Sequence, residues 1–337
     1  MNNVFDSLTV YLLLAAIGAG AGAFLSAGLY LSGSRRLKTC PPSLRQHLLL
    51  ALLACPLLGA LALVLSMSMP IAPAAALFAG GAEAAHCGNH PTLHHAWCQW
   101  HAPQIVLPGW LTALVSLIFT AWLGLAVRGV MRMLAAARRL GLMRNMGRWQ
   151  ADDGYWLLPL RRPLAFAAGL FGGQAFMSVG LREHLSHEQL AIVLEHEHSH
   201  IRHRDMLTSV LVSFLARLQA PRVARRIRAD WALAVEQRCD DTVARTTGDR
   251  LAVADCLVAV ARLQQDREPA VAGDHACHLL DDNLSARVTA LLEEPPAPRR
   301  ALVFVPAGLT TAAVMAALAS GPQMHRWAEL LLPLAAP

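Results

Sequence analysis

Four long runs without a charged side chain punctuate the chain. The first, residues 7–34, reads SLTVYLLLAAIGAGAGAFLSAGLYLSGS; others cover 48–69, 105–127 and 301–320. A helix needs about 20 apolar residues to cross a bilayer, so spans are predicted at about 8–31, 48–69, 105–127 and 301–320. The first run is too long for a secretory leader, and its basic residues follow the apolar stretch instead of preceding it. Between the third and fourth runs the pattern changes. Residues 128–148 are basic and amphipathic, as expected of a helical extension of the third span lying along the membrane surface. YWLLPL, PLAFAAG and GGQAFMSVG are short apolar segments broken by glycine, the pattern of strands with a hairpin turn at Gly172–Gln174. Ser186 followed by Gln189 then forms a capping box. From there Leu190, Val193, Leu194, Glu197 and Ile201 recur at helical spacing, so a helix should begin near His187. A second helix is predicted over 230–248, with Trp231, Leu233, Val235, Cys239 and Val243 among its apolar positions. The expected fold is a mainly α membrane protein: about four transmembrane helices with an inserted α+β domain.

Charge sharpens this division. Only 15% of the 337 residues are charged, against about 25% in soluble proteins. Of the acidic residues, only Asp6, Glu83 and Glu329 fall outside 128–300. The chain thus divides into a membrane region (1–127), a polar domain (128–300), a fourth span (301–320) and a short tail (321–337). Arg35, Arg36, Lys38 and Arg45 separate the first two runs; six arginines from Arg128 to Arg148 follow the third; Arg299 and Arg300 precede the fourth. Basic loops mark the cytoplasmic side. The expectation is a bacterial inner-membrane protein with its N-terminus outside, 35–47 inside, 83–104 outside, 128–300 in the cytoplasm and its C-terminus outside. Such loops also account for the net charge of +6, so no direct nucleic-acid binding is expected, and the lipid bilayer is the first partner. The loop 83–104 holds His86, His90, His94, His95 and His101, together with Cys87 and Cys98, a candidate disulfide on the oxidising side. No C-x-x-C pair occurs, which argues against a zinc ribbon or redox motif.

The chemistry concentrates in AIVLEHEHSHIRHRD, residues 191–205. On the predicted helix His196 and His200 are one turn apart on one face, with Glu197 beside them: H-E-x-x-H. Two neutral imidazoles so placed can bind one zinc and leave positions for a third ligand and a water. The metal would acidify that water, and Glu197 would take its proton and pass it to a leaving amine. His198 faces elsewhere. His203, two turns from His196, is a candidate for the cleft edge or for transition-state contact. The third ligand is expected on the later helix, where Glu236 and Asp240 are one turn apart: Glu236 to ligate, Asp240 to accept the N–H of a ligand histidine.

These residues carry a family resemblance. AFAAG and AFMSVGLREHLSHEQLAIVLEHEHSHIRHRDML, followed by EQRCDD, resemble the membrane metallopeptidases of the BlaR/MecR type, the β-lactam sensor-transducers. They are similar, more distantly, to the HtpX and CAAX-prenyl endopeptidase group. NLSARVTALLE (283–293) looks like the helix that precedes the family's last span. The resemblance implies a zincin-like domain of the gluzincin kind with one Zn2+ per chain. His196, His200 and Glu236 would be its ligands, Glu197 the general base, and Asp240 the group orienting a histidine. It implies a cytoplasmic protein substrate, a transcriptional repressor, cut in response to a signal. The penicillin-binding sensor domain of that family is not expected: after residue 320 only GPQMHRWAELLLPLAAP follows. Two other readings stay open. One is a quality-control peptidase of the HtpX type acting on damaged membrane proteins. The other is a non-catalytic metal or signal receptor, against which Glu197 argues, since holding a metal needs the histidines but not the base.

Overall fold

The computed structural model describes residues 2–68, 109–265 and 274–293. The loop 83–104 with Cys87 and Cys98, expected outside, the expected fourth span 301–320 and the tail lie outside the described residues. Three long helices come first: α1 (Asn2–Lys38), α2 (Pro42–Ser68) and α3 (Gly109–Met146). Each is long and apolar enough to cross a membrane, over Tyr11–Lys38, Pro42–Leu65 and Thr112–Met146. α3 runs without a break from the third apolar run into the basic segment, so the predicted extension is helical.

The α1–α2 hairpin is built on small residues. A Cβ added at Gly18 would lie 2.3 Å from the Gly59 carbonyl oxygen, and one at Gly22 would lie 2.3 Å from that of Cys55. Only glycine allows this approach, the small-xxx-small packing by which helices associate in lipid. Ser26 continues the same stripe and donates to the Leu52 carbonyl at 2.8 Å. That carbonyl is free because Pro56, inside α2, lacks the N–H that would otherwise bond four residues back.

The polar domain opens with a four-stranded sheet: β1 (Arg148–Gln150), β2 (Tyr155–Leu158), β3 (Ala165–Ala168) and β4 (Gln174–Ser178). The spatial order is β1-β2-β4-β3, with β2 and β4 parallel and the other pairs antiparallel. Three strands fall where the apolar segments put them. β1 was hidden at the end of the basic run, and the β3–β4 turn is shifted: Gln174 already belongs to β4, where it accepts from the Trp156 indole at 3.2 Å. β3 is left at the sheet edge.

Helices complete the domain: α4 (Val179–Arg182), α5 (His187–Arg202), α6 (Asp205–Leu215), a 3₁₀ turn (Ala216–Leu218), α7 (Pro221–Thr247), α8 (Arg250–Gln265) and α9 (Asp274–Leu292). The capping box at Ser186 and Gln189 is formed in both directions. α7 starts earlier than its apolar pattern suggests, with Pro221 in its first turn. Two cores result. In one, Tyr155, Met177 and Leu181 pack with Ile192, Leu194, Val243 and Val253. The other joins the membrane hairpin to the polar domain: Tyr30, Leu49 and Leu53 pack with Val212, Leu215, Ile227 and Trp231.

Candidate metal centre

α5 and α7 cross so that His196, His200 and Glu236 converge. The two Nε2 atoms are 3.2 Å apart. His196 Nε2 lies 3.4 Å and His200 Nε2 3.7 Å from the Glu236 carboxylate. A tetrahedral zinc with Zn–N bonds of about 2.0–2.1 Å sets neighbouring ligand nitrogens roughly 3.3 Å apart, so the spacing of this donor set fits such an ion. The other ring nitrogens are already engaged. His196 Nδ1 donates to Asp240 at 3.1 Å and His200 Nδ1 to Asp205 at 2.8 Å. Both Nε2 atoms thus face the same small space.

Each imidazole is backed by a carboxylate and an arginine. Arg287, on α9, grips Asp240 with two bonds of 2.7 Å and also reaches Glu236 at 3.0 Å. Arg238 donates to Asp205 on the other side. Asp205, Arg238 and Asp240 are all buried. Arg238 continues to the Gln46 amide of α2 at 3.1 Å, and Arg45 of α2 donates to Gln237. Cys239 lies 3.5 Å from His200 Nδ1.

The electrostatics follow from these contacts. Burial pulls the His196 imidazole down, but Asp240 and Glu236 outweigh it and hold it up to about 9 in the metal-free protein. His200 is likewise opposed by burial yet held up to about 11 by Asp205 and Cys239. Burial raises Glu236, but His196 and Arg287 draw it down to about 2. A centre that keeps protons on its imidazoles and charge on its carboxylates suits a cation that replaces those protons. Glu197 behaves oppositely: burial pushes its carboxyl above the ordinary range, although both histidines oppose the shift. It is 9% exposed and packed toward β3, where Ala167 offers a backbone hydrogen bond. A cavity of about 400 Å³ opens beside the cluster, with Gly169–Gly173, His200, Ile201 and Leu207 among its walls.

At the level of sequence families, the model of peptidase family M48 matches residues 134–330, more than half of the chain. The chain belongs to peptidase family M48. It is also 40% identical over 63 residues to a Protease HtpX homolog from Aquifex aeolicus (strain VF5), a match covering 18% of this chain. The matched segment spans about a fifth (21%) of that relative's length. No solved structure matches.

Within this family M48 chain, four residues singled out by sequence come together: His196, His200, Glu236 and Asp240, with Glu197 alongside. His203 does not join them; its ring bonds back to the Ser199 carbonyl at 2.9 Å. His198 turns to the Gly154 carbonyl at 3.4 Å, away from the cluster as its helical phase requires. Asp205, Arg238 and Arg287 were missed. Asp205 depends on Arg204, which takes a left-handed φ of 53° and breaks α5 from α6. That kink brings the first residue of α6 back under His200. The only signal in the sequence is the acidic residue closing HIRHRD.

Proposed function

We propose that this chain is an integral-membrane, zinc-dependent endopeptidase. The observation that carries the reading is the convergence of His196 Nε2, His200 Nε2 and the Glu236 carboxylate at ligand spacing in a family M48 chain. One zinc would be held by these three residues and would supply Lewis-acid chemistry toward a water and a peptide carbonyl. Asp240 and Asp205 fix the tautomer and orientation of the two imidazoles. Glu197, buried and with its carboxyl held up, is placed to accept a proton beside the cluster and deliver it to the leaving amine. In this reading residues 128–300 form the peptidase domain on the cytoplasmic side. The N-terminus, the 83–104 loop with Cys87 and Cys98 as a candidate disulfide, and the C-terminus lie outside, and 301–320 is a fourth span.

For the substrate, the span arrangement and the BlaR/MecR-type motifs support a signal-responsive antirepressor that cuts a cytoplasmic repressor. The 63-residue likeness to the HtpX homolog favours a second reading, a quality-control peptidase acting on membrane proteins. The test is Glu197→Gln in the full chain, expressed with candidate repressors and with a misfolded membrane protein. A positioned base contributes typically 10²–10⁴-fold, so the variant should keep its zinc and lose nearly all fragment formation, while Glu236→Ala should lose both. A Glu197→Gln protein that cleaves like the parent overturns Glu197 as the base, whereas a parent chain that forms no fragments while still signalling favours a receptor.

A further inference from the structure

The hairpin made by α6 and α7 reaches the transmembrane helices at a consistent height. Gln219, in the bend between them, donates to Ser26 Oγ at 2.8 Å and to the Leu52 carbonyl at 3.1 Å, the carbonyl left free by Pro56. Phe214 stacks edge-on against Trp122 of α3 with ring centroids 5.8 Å apart. Arg217 donates to the Leu125 carbonyl of the same helix at 3.0 Å. The predicted spans end on the arginine side at about residues 31, 48 and 127. Ser26, Leu52, Trp122 and Leu125 are two to five residues inside those limits, about 3–8 Å at 1.5 Å per residue. Contacts to three separate helices therefore set the tip of the hairpin at one depth, just within the hydrocarbon.

The flank of the hairpin suits that depth. From Met206 to Ala216 no side chain is charged. Leu207, Val210 and Leu211 are 36%, 42% and 44% exposed, and at spacings of three and four residues they share one face, which Phe214 continues to α3. Phe214 meets α3 at Trp122, and Leu117, Ile118 and Leu123 of that helix are also exposed. Immediately after the bend, α7 carries Arg222, Arg225, Arg226 and Arg228 within seven residues, all exposed. Arg225 and Arg228, with Ser209 and Ser213 of α6, line a groove of about 340 Å³. An apolar stripe beside a row of arginines is the composition of an element lying in a membrane interface, and two guanidinium groups with two hydroxyls suit a phosphate.

We infer that the α6–α7 hairpin is a shallow membrane anchor of the peptidase domain: Leu207, Val210, Leu211 and Phe214 lie among acyl chains, and the Arg225/Arg228/Ser209/Ser213 groove holds the headgroup of an anionic phospholipid. The occupant is lipid because Phe214 joins the stripe to α3, a helix long and apolar enough to cross a membrane, and because the nearby arginines complement an anionic headgroup. The inference rests on α1–α3 crossing the bilayer, not on the metal chemistry. Its consequence is positional. Gln46, which holds Arg238 behind His200, lies two residues outside the α2 limit, so the metal cluster sits at headgroup depth.

The test uses the full chain in nanodiscs of phosphatidylcholine with or without phosphatidylglycerol. A diazirine amino acid is placed singly at Val210 or Leu211, and at Leu251, which is 64% exposed on α8, as the control. Illumination should give lipid adducts at the first two positions and none at Leu251. Adducts to another segment of this chain or to a co-purifying protein, or lipid yields equal to the control, would overturn the anchor. In a second arm, lipids retained through purification are identified by mass spectrometry. A basic residue at a membrane surface favours anionic lipid about fivefold, so Arg225→Gln with Arg228→Gln should cut the preference for phosphatidylglycerol about thirtyfold. Both arginines are exposed, so the melting temperature of this double variant should match the parent's. An unchanged preference in a normally melting protein would overturn the headgroup assignment.

Discussion

Asp205 offers the sharpest test of how the centre is held. Its carboxylate is 3% exposed, accepts from His200 at 2.8 Å and faces the buried Arg238. Burial alone would raise its carboxyl; His200 and Arg238 together draw it below the ordinary range. Asp205→Asn keeps an acceptor for the imidazole but removes the charge. Two effects follow, and they separate. The ligand histidine loses its anionic partner, which typically weakens metal affinity 10–100-fold, or about 1.4–2.8 kcal/mol. Independently, Arg238 is left as a buried charge without its counterion, which costs about 3–5 kcal/mol of stability. Adding Arg238→Met removes the stranded charge, so most of the stability should return while the metal defect persists. The assay is zinc competition with a chromogenic chelator on detergent-purified protein, with melting of the metal-free form in parallel. If Asp205→Asn binds zinc as tightly as the parent and only melts earlier, Asp205 is a packing residue and does not position His200.

Four more outcomes are expected. In the metal-free protein His196 is raised from 6.5 to about 9, so the stability it contributes is fully present below pH 6.5 and lost as pH rises through about 9; melting of chelator-treated protein should fall over that window. Zinc affinity should rise over the same window as protons stop competing for the ring, which competition titrations at stepped pH would measure. Gly22→Val must push α1 from α2 and should cost about 1–3 kcal/mol, whereas Gly28→Val, with nothing within 4 Å of its added carbon, should melt like the parent in detergent. A reporter active only in the cytoplasm should be on when fused after Arg148 or Arg267 and off at Asn89 or Pro337; the reverse pattern refutes the proposed orientation.

What could be read from sequence was what repeats at a fixed period. The two histidines and Glu197 follow from helical spacing, as do Glu236 and Asp240, and the capping box fixes where their helix starts. The contacts that steady those ligands are not periodic. Asp205 is brought to His200 by one left-handed residue, and Arg287 approaches from α9, far along the chain; hydrophobic spacing encodes neither. β1 was hidden because its three residues, Arg148–Gln150, are too few to show an alternating pattern, although Gly147 before them and Gly154 after them mark turns. The packing of α1 on α2 is legible in another period: Gly18, Gly22 and Ser26 recur every four residues, the spacing of a close helix pair in lipid. Hydrophobicity alone conceals it, because glycine breaks no apolar run.

The segment EQRCD, 236–240, shows why these distant contacts constrain the chain so tightly. Successive residues of a helix point about 100° apart, so five consecutive side chains survey its whole circumference. Glu236 and Asp240 turn to the histidines of α5. Gln237 accepts from Arg45 of α2 and donates to the Ala286 carbonyl of α9 at 2.9 Å. Arg238 bridges Asp205 and Gln46, and Cys239 lies against His200. A slip of one residue would put Gln237 where Glu236 stands and Asp241 where Asp240 stands. It would also withdraw Arg238 from Asp205, leaving the buried carboxylate behind His200 without its arginine. The register of α7 is therefore held from the histidine cluster of α5 and from the α1–α2 hairpin at once. The polar row on α7 that carries the ligands needs no apolar repeat of its own, because every one of its side chains is specified by a neighbour outside the helix.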